Sequence, residues 1–462
     1  MHFDIIVIGG GAAGLMAAAG AGSQGAKSVL VLEKMPRPGR KIVITGKGRC
    51  NYTNLKDWNS FQPHIRANSN VLRSAFYNLT PEKLMDFFAQ HGLESVVERG
   101  DRVFPASHRS MDVVDVLTNA VDRVGGKIET EREVQEIYVE EEYGERFFVV
   151  NCTGGYAYSA SRVIIATGGL SYPSTGSTGD GFRFATGFGH SLKPCFPSLT
   201  ALVPKSYKEV ISMPQYEFAS DGLKYHIDRS LPLSETGKEL CGVHLKNVGL
   251  SLEVNGTIMK EFEGDVDFTD GGIEGPLGFS VSRDAVKSLI NGSKVALILN
   301  LKPGVPINEF VARVETLWNE VRRDSRSKGK NARYLLKVLL GKLMPWELIP
   351  GFMKCHTGLI SGKKGYEVLK VKSLVSAVVA WRFEVVGYVG YERCVVTAGG
   401  VSADEIVPKT MESRKVKGLY FCGEVLDIDA DTGGYNLHSA FAEGFLAGMS
   451  AAKSLEDVIC KL

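Results

Sequence analysis

Residues 3–14, FDIIVIGGGAAG, join a mostly apolar, branched run to a glycine-rich turn. The run from Phe3 to Ile8 is typical of a strand that is buried on both faces of a parallel sheet. The residues from Gly9 to Gly14 then form a GxGxxG turn that opens an alanine-rich helix. Glycines in this pattern allow a tight turn and a close approach of the backbone to a pyrophosphate, and the helix N-terminus offers N–H groups to the anion.

A carboxylate lies at the end of the second predicted strand, where a bound dinucleotide would place a ribose. A second apolar run, Ser28 to Leu32, ends in Glu33, which would accept hydrogen bonds from a ribose diol. A purely structural glycine turn is the alternative. The combination of strand, glycines, helix, second strand and Glu33 in register favours a dinucleotide-binding unit.

The far end of the chain favours FAD over NAD. An apolar strand, Leu419 to Cys422, runs into Gly423 and Glu424, and residues 433–436 (GGYN) open a helix rich in small residues. This arrangement suits a long cofactor that crosses the sheet, with Glu424 at its ribityl or phosphate region. The start of the helix would aim backbone donors at the pyrimidine edge of a flavin. A capped loop before a packed helix is the alternative.

The segment between the ends is predicted as a β-meander. Its strands are Val134 to Val139, Phe147 to Cys152 and Tyr156 to Tyr158, joined by the acidic turn EEEYGE and a TGG turn. A further buried strand, Arg162 to Ala166, ends in Thr167, Gly168 and Gly169. A separate small β domain is the alternative for this segment.

Composition narrows the classes of protein. The length of 462 residues predicts two or three domains, and 44% apolar with 23% charged residues is typical of a globular protein. The formal charge of +2 gives no global reason to expect a nucleic-acid or membrane partner. The eight cysteines are scattered singly, without the spacing of a metal site. With no secretory leader or apolar run long enough to span a bilayer, we expect a cytoplasmic protein with reduced thiols.

The chain resembles the BaiN-like (YhiN-like) family of bacterial FAD-dependent oxidoreductases, which also carry the label of aminoacetone-oxidase-family enzymes. The matching motifs are IVIGGGAAGL, GRKIVITGKGRCNYTN, RVFPAS, ATGGLSYPSTGSTGDGF and the stretch from VTAGG to GGYNLHSAF, within residues 5–182 and 396–441. Residues 268–276 depart from the pattern, since they read FTDGGIEGP where the family usually has FTHxGLSGP. His438 stands where Gln is common, so a relative's substrate is not transferred to this chain.

The resemblance implies an α/β fold with a glutathione-reductase-like FAD-binding domain, built from a parallel sheet and a β-meander, at residues 1–191 and 396–462. An inserted β-barrel-like domain would take residues 192–303 and 355–395 and carry a helical subdomain at residues 304–354. The residue pattern agrees, because short strands (LTALVP, YHIDRS, and those within residues 242–268) begin after residue 192. Two helices around a basic turn are predicted from Pro306 to Pro350, and strand pattern resumes near Tyr366.

The loop TGKGRCNYTN, residues 45–54, is expected to wrap the flavin ring. Gly46 and Gly48 would let backbone N–H groups reach flavin N5 or O4, and Asn51 would brace the loop. Arg49 would fix an anionic or carbonyl substrate, or hold charge near the reduced ring. Cys50 has no partner at CxxC spacing, so packing or flavin contact is preferred to a redox role.

The residues expected to bind the cofactor lie in glycine-rich turns or at strand ends, or are charged residues next to these. Arg40 and Lys41 would neutralise its phosphates, with a solvated basic turn as the alternative. The full predicted set is Gly9, Gly11, Ala12, Ala13, Gly14, Glu33, Lys34, Arg40, Lys41, Thr45, Gly46, Gly48, Arg49, Cys50, Asn51, Val134, Thr167, Gly168, Gly169, Asp180, Gly423, Glu424, Gly433, Gly434, Tyr435 and Asn436.

The catalytic candidates are Tyr172, His438 and Arg49. A phenol or an imidazole near a hydride acceptor can supply the proton that completes a reduction, and Tyr435 is a further candidate. For each of these aromatic residues a packing role is the alternative.

These features predict an enzyme that transfers a hydride between flavin N5 and a small organic substrate, and reduction of an activated C=C bond is the expected reaction. FAD would be held non-covalently, with NAD(P)H as a transient donor because a second GxGxxG unit is missing. An amine or ketone oxidase that uses oxygen is one alternative. Another is a flavin-dependent RNA-modifying protein, given the basic stretch RRDSRSKGKNAR at residues 322–333, although a solvated turn between helices is the preferred explanation of that stretch.

A quinone-linked membrane enzyme and a flavin carrier without turnover are the remaining alternatives. The first would use the apolar, basic-edged stretch RYLLKVLLGKLMPWELIPGF, for which a helical core is the other explanation. We expect a small-molecule substrate, no nucleic-acid partner and no stable membrane insertion. The oligomeric state is left open.

Overall fold

The computed structural model describes residues 1–142, 144–210, 216–219, 222–225, 231–362 and 368–459. Within them the chain divides into two compact units: Met1–Ser198, Tyr216–Lys224 and Tyr391–Leu462 form the first, and Leu199–Gln215 and Tyr225–Gly390 form the second. The domain boundaries predicted from the sequence remain a proposal.

The helices, numbered in chain order, are α1 Ala12–Ser23, α2 Arg40–Ile44, α3 Trp58–Phe61, α4 Ser69–Asn78, α5 Pro81–Gln90, α6 Ser110–Arg123, α7 Asp180–Gly187, α8 Glu235–Leu240, α9 Gly275–Ile290, α10 Ile307–Arg323, α11 Ala332–Gly341, α12 Ile349–Cys355, α13 Val371–Val379 and α14 Tyr435–Ile459. The strands are β1 His2–Ile8, β2 Val29–Leu32, β3 Thr53–Asn54, β4 Ser95–Glu98, β5 Arg102–Pro105, β6 Lys127–Glu129, β7 Val134–Glu142, β8 Glu145–Cys152, β9 Ala157–Ile165, β10 Leu192–Ser198, β11 Leu202–Pro204, β12 Tyr216–Ala219, β13 Gly222–Tyr225, β14 His244–Val254, β15 Thr257–Thr269, β16 Gly272–Glu274, β17 Val295–Asn300, β18 Ile360–Ser361, β19 Val368–Leu369, β20 Trp381–Tyr388, β21 Val396–Val401, β22 Ile406–Val407, β23 Glu412–Ser413 and β24 Leu419–Phe421.

A Rossmann-type sheet organises the first unit. Strands β24, β9, β1, β2 and β6 pair in parallel in that order, and β22 and β23 extend the sheet beyond β24. The apolar side chains of β1 and β2 are buried, as expected for parallel strands that are covered on both faces. Strands from both ends of the chain lie side by side here, because β24 and β1 both pair with β9.

The meander is present, but its last strand differs from the prediction. The separate strands expected at Tyr156 to Tyr158 and Arg162 to Ala166 are one strand, β9, which pairs with β8 along its first half and with β1 and β24 further on. The intervening residues 159–161 contain neither glycine nor proline, and Ser159 and Ala160 pair with both β1 and β8, so the strand is not interrupted there. The predicted acidic turn is also mostly strand, since residues 140–142 belong to β7 and residue 145 begins β8, and Tyr143 lies outside the described residues.

A closed barrel organises the second unit. Its strands follow the order β11, β16, β15, β14, β17 and β20. The predicted fold class, a parallel sheet with a meander interrupted in sequence by a barrel, is therefore confirmed. The two helices expected around a basic turn are α10 and α11.

Helix α9 was not predicted within the segment assigned to the barrel-like domain, and α13 was not predicted because strand pattern was expected from about residue 366. Leu277, Val281 and Ala285 recur every fourth residue on the buried side of α9, and on α13 the buried residues Leu374 and Val378 are four apart, with Val375 beside them. These spacings are helical, and valine content favoured the wrong interpretation for α13. Residues 226–230 of the predicted strand YHIDRS, and the restart near residue 366, lie outside the described residues.

The helices at the two ends of the chain pack at backbone contact. A Cβ added to Gly444 would overlap the carbonyl oxygen of Ala13, and one added to Gly448 would overlap that of Ala17. Small residues on both α1 and α14 therefore let the two helices lie closer than larger side chains would permit. Among the described helices, none combines the length and apolar character needed to cross a bilayer.

We predict that Gly448→Ala lowers the free energy of unfolding by about 1–3 kcal/mol, because the added methyl group meets a backbone carbonyl that cannot turn aside. Gly187→Ala is the matched control: it also lies in a helix, at the exposed end of α7, and its added Cβ would have no neighbour within 4 Å. That control should be neutral or slightly stabilising. Urea unfolding of both variants checks this, and equal stability of the two would contradict the close packing.

Candidate active site

The glycine turn leaves open space in front of α1. Gly9 has a φ of 102°, and a Cβ there would lie 2.5 Å from the carbonyl oxygen of Ala166. A Cβ on Gly14 would overlap the carbonyl oxygen of Gly9, whereas one on Gly11 would have no atom within 4 Å. Helix α1 begins with Gly11 as its N-cap, no side-chain cap and no acidic residue in its first turn. The first N–H groups of α1 therefore lack a side-chain cap, and the space at Gly11 leaves the backbone there accessible to an anion such as a pyrophosphate.

Glu33 lies beside this turn, at the end of β2. Its carboxylate accepts hydrogen bonds from the backbone N–H of Gly10 at 2.7 Å and of Met35 at 2.8 Å. Burial raises the pKa of Glu33, and the two backbone donors oppose that rise. The structure thus brings the predicted ribose-binding carboxylate and the glycine turn together.

Lys34 connects the glycine-turn region to the loop after β9. Its Nζ donates to Asp180 Oδ2 at 2.6 Å and also contacts Thr178 Oγ1. Gly168, in the turn that follows β9, has a φ of 74°. The predicted residues at the ends of β2 and β9 are therefore neighbours, and the charge of Lys34 is compensated by Asp180.

A second network holds Lys41 and Glu424. The Glu424 carboxylate accepts from the Thr397 backbone N–H at 2.8 Å and from Ser171 Oγ, and Lys41 Nζ contacts both Ser171 Oγ and Glu424. Both charged side chains are largely buried, with 25% and 18% exposure. Lys41 was expected to neutralise cofactor phosphates, but its charge is already compensated by Glu424. Arg40 is exposed, and its guanidinium donates to the Ser174 carbonyl at 3.2 Å.

The loop of residues 45–54 forms a 3₁₀ turn at Thr45–Gly48 and continues into β3. Gly46, Gly48 and Cys50 all have left-handed φ values, between 57° and 86°. A Cβ on Gly48 would meet nothing within 4 Å, so the backbone there is open to a ligand. Cys50 is fully buried, and burial raises the pKa of its thiol to about 12, which leaves the thiol unreactive.

Arg49 packs against a neighbouring sheet. Its Nη1 donates to Glu98 Oε1 at 2.7 Å, and its guanidinium lies 4.4 Å from the centre of the Phe104 ring. Glu98 compensates its charge, while 42% of its side chain stays exposed. Its predicted contact with a substrate stays a prediction.

The residue 45–54 loop meets the glycine pair that opens α14. Asn54 Nδ2 donates to the Gly433 carbonyl at 3.1 Å, and a Cβ on Gly434 would overlap the carbonyl oxygen of Thr53. Asn436 closes the same turn, because its side-chain amide bonds both the N–H and the carbonyl of Ala430 at 2.9 Å. Two predicted flavin-contacting segments, far apart in sequence, thus share one backbone surface.

His438 lies in the core, which favours the packing alternative over its predicted catalytic role. Its Nδ1 lies 2.8 Å from Thr53 Oγ1, and the rings of Phe61 and Phe76 enclose it at 5.1 and 5.3 Å. The side chain is fully buried, and burial lowers its pKa to about 3. A neutral, enclosed imidazole is not placed to protonate a substrate, so we interpret His438 as a packing residue.

Tyr172, Tyr435 and Val134 differ in how far they are buried. Tyr172 has a φ of 52°, and its backbone N–H donates to the Tyr391 carbonyl at 2.8 Å. It is half-buried, and its role as a proton donor stays a prediction. Tyr435 is nearly buried at the start of α14, and Val134 is the buried first residue of β7.

Glu443 was missed by the sequence analysis. It is fully buried on α14, and its Oε2 accepts from the Gly423 N–H at 2.8 Å, so it supports the turn after β24. Its Oε1 has no hydrogen-bond partner within the described part of the chain. A single acid among the small and apolar residues of SAFAEGFLAG was the available signal.

We predict that Glu443→Gln reduces the loss of unfolding free energy that the wild type shows as the pH rises from 4.5 to about 8. Burial raises the Glu443 pKa from 4.5 to about 8. The folded state therefore holds a proton that the unfolded chain releases, and its contribution is complete below 4.5 and falls as the pH rises towards 8. The slope can reach about 1.4 kcal/mol per pH unit.

Thermal unfolding from pH 5 to pH 9 checks the Glu443 prediction. The neutral amide can keep the Gly423 hydrogen bond and has no proton to lose. The melting temperature of the variant should therefore rise relative to that of the wild type as the pH increases. Parallel pH profiles of the two proteins would contradict the burial of an ionisable carboxyl group.

The family model described as the HI0933-like protein Rossmann domain matches residues 3–450. A ribosomal RNA dihydrouridine synthase of Escherichia coli is 30% identical, with 98% of this chain and 99% of that protein covered. One from Haemophilus influenzae is 29% identical over 98% and 99%, and a 3-dehydro-bile acid delta(4,6)-reductase of Clostridium scindens is 29% identical over 97% and 98%. These matches confirm the family resemblance inferred from the motifs, and the chain belongs to the HI0933-like family.

Proposed function

We propose that this chain, an FAD-dependent oxidoreductase, reduces a C=C bond that is conjugated to a carbonyl group, by hydride transfer from the N5 atom of non-covalently bound FAD. The observation that carries the cofactor is the open space at Gly11 in front of a helix N-terminus without a side-chain cap, where the N–H groups are available to an anionic ligand. The names of the relatives support the reaction class. A 3-oxo steroid with a 4,6-diene and a uracil ring both present an alkene conjugated to a carbonyl.

The residues fit FAD along one path through the first unit. The backbone from Gly9 to Gly14 would hold the pyrophosphate, and Glu33 would bind the adenosine ribose. The open backbone at Gly48 and the N-terminus of α14 would lie at the ring system. There the partial positive charge of the helix end favours the electron-rich reduced ring.

The paired charges suit this arrangement. Lys34 and Lys41 each have a carboxylate partner, so they hold loops in place and leave phosphate binding to backbone N–H groups and exposed Arg40. NAD(P)H remains our proposed donor and would bind transiently at the ring face. We place the reaction in the cytoplasm, as the scattered single cysteines suggest.

RNA is the second candidate substrate, and a specific observation favours it. Residues 322–333 hold six cations, all exposed, and one acid, Asp324, which pairs with Arg326 at 2.7 Å. Such a turn can neutralise phosphates, and two relatives are named as ribosomal RNA dihydrouridine synthases. A small enone remains the first candidate, as inferred from the sequence.

The deciding experiment follows the absorption of the purified protein under anaerobic conditions. We expect flavin bands that bleach with NADH or NADPH and return when a 3-oxo-4-ene steroid is added. Return only with an unmodified ribosomal RNA transcript would select the RNA candidate, and return only with oxygen would select an oxidase. A protein that binds no FAD on reconstitution would overturn the proposal.

We predict that Gly11→Val lowers FAD affinity at least tenfold while leaving the stability of the apoprotein nearly unchanged. Gly11 has φ −85° and ψ −168°, which valine adopts readily, and its side chain would enter empty space. Titration of apoprotein with FAD, followed by flavin fluorescence, measures the loss. Gly187→Ala serves as the control, and unchanged affinity in Gly11→Val would show that this turn does not hold the pyrophosphate.

A further inference from the structure

Two segments of the first unit with no role assigned so far run side by side. The Arg66 N–H donates to the Asp429 carbonyl at 2.7 Å, and the Asp431 N–H donates to the His64 carbonyl at 2.9 Å. Ile65 and Ala430 form the antiparallel bridge between them. The backbone ladder fixes the positions of His64, Arg66 and Asp431.

The Asp431 carboxylate is shared by an imidazole and a guanidinium. Its Oδ2 lies 3.0 Å from His64 Nδ1, and its Oδ1 accepts from Arg66 Nε at 2.6 Å. Asp431 is only 16% exposed, so this bridge is partly shielded from water. One carboxylate therefore orients an imidazole and a guanidinium at once.

This cluster borders the glycine pair at the start of α14. The His64 ring stacks on Tyr435, with ring centres 4.3 Å apart and planes 17° from parallel. Tyr435 follows Gly433 and Gly434 directly, and Gly433 is bonded to Asn54 of the residue 45–54 loop. The cluster thus lies next to the backbone surface proposed to meet the flavin ring.

Both side chains keep nitrogen atoms that Asp431 does not contact, and His64 Nε2 is a donor in the protonated form of the ring. Over the described residues, no acceptor bonds His64 Nε2 or the terminal nitrogens of Arg66. The two side chains are 34% and 24% exposed, so these donors are accessible to a ligand. Because both groups are bound to the same carboxylate, they belong to one cluster.

We propose that His64 and Arg66 bind the carbonyl oxygen of the substrate and that His64 supplies the proton of the reduction. This inference rests on the proposed function and adds the substrate-binding group that it lacks. Asp431 positions both side chains and provides the counter-charge for the imidazolium form of His64. The substrate class is then a conjugated carbonyl compound that becomes an enolate during reduction.

The proposed reduction adds one hydride and one proton to the substrate. Hydride adds to the β-carbon, the alkene electron pair moves to the α-carbon and the carbonyl oxygen, and negative charge collects on that oxygen. Arg66 and His64 Nε2–H donate to the oxygen, where two charge-assisted hydrogen bonds are strongest. His64 then transfers its proton to the enolate, the enol becomes the ketone, and solvent restores the proton to the exposed imidazole. The reduced flavin supplies the two electrons.

An enolate mimic tests the site without turnover. We choose 4-hydroxybenzaldehyde, which is partly a phenolate at neutral pH and has no alkene outside its aromatic ring that could be reduced. Calorimetry on the protein as purified measures its affinity, and a change in flavin absorption on binding reports its proximity to the ring. We expect the wild-type protein to bind it and His64→Gln and Arg66→Gln each to lose tenfold or more, as expected for one charge-assisted hydrogen bond.

His244→Gln is the matched control, because His244 Nδ1 also faces a carboxylate, Asp267 Oδ1, at 2.8 Å but belongs to β14 of the second unit. It should bind the phenolate as the wild type does. Absence of wild-type binding, or equal affinity in the His64, Arg66 and His244 variants, would overturn the inference. If the phenolate binds as expected but no conjugated carbonyl probe reoxidises the reduced protein, the proposed function fails and the oxyanion site stands.

Discussion

The backbone contact between α1 and α14 is the constraint on which the site depends. It brings the first and last helices of a long chain together through Gly444 and Gly448, where any side chain would meet a carbonyl oxygen. Gly423 is held at the same junction, since an added Cβ would lie 2.8 Å from that of Ala13. The two helix N-termini and the turn after β24 can therefore serve one ligand, although they come from opposite ends of the sequence.

Partial burial explains why the lysines of the site are paired with carboxylates. Partly buried lysines are stable as cations only with a counter-charge, and here Asp180 supplies it for Lys34 and Glu424 for Lys41. These pairs fix the loops after β9 and β24. Backbone N–H groups at α1 are then left to attract the anionic part of a ligand, and they need no compensating carboxylate because their charge is partial.

Local steric rules explain what could be predicted from the sequence. The turn from Gly9 to Gly14, its strand and Glu33 were identified because each requirement acts within a few residues. His438 was predicted to be catalytic because its neighbours in sequence suggested the flavin, whereas the rings of Phe61 and Phe76, which pack against it, come from distant parts of the sequence. The pairing of His64 with Asp431 joins residues 367 apart, and no local pattern encodes such a contact.

Ion pairs set the net charge around the site. Arg49 pairs with Glu98, which Arg102 also approaches at 3.8 Å. The two lysines pair with Asp180 and Glu424. Asp431 is likewise shared, by a guanidinium and an imidazole, so protonation of the ring would leave one positive charge in excess. A half-buried excess charge attracts an anion more strongly than a compensated one, because less water screens it. A developing enolate oxygen is the anion that a reduced conjugated carbonyl would bring to this position.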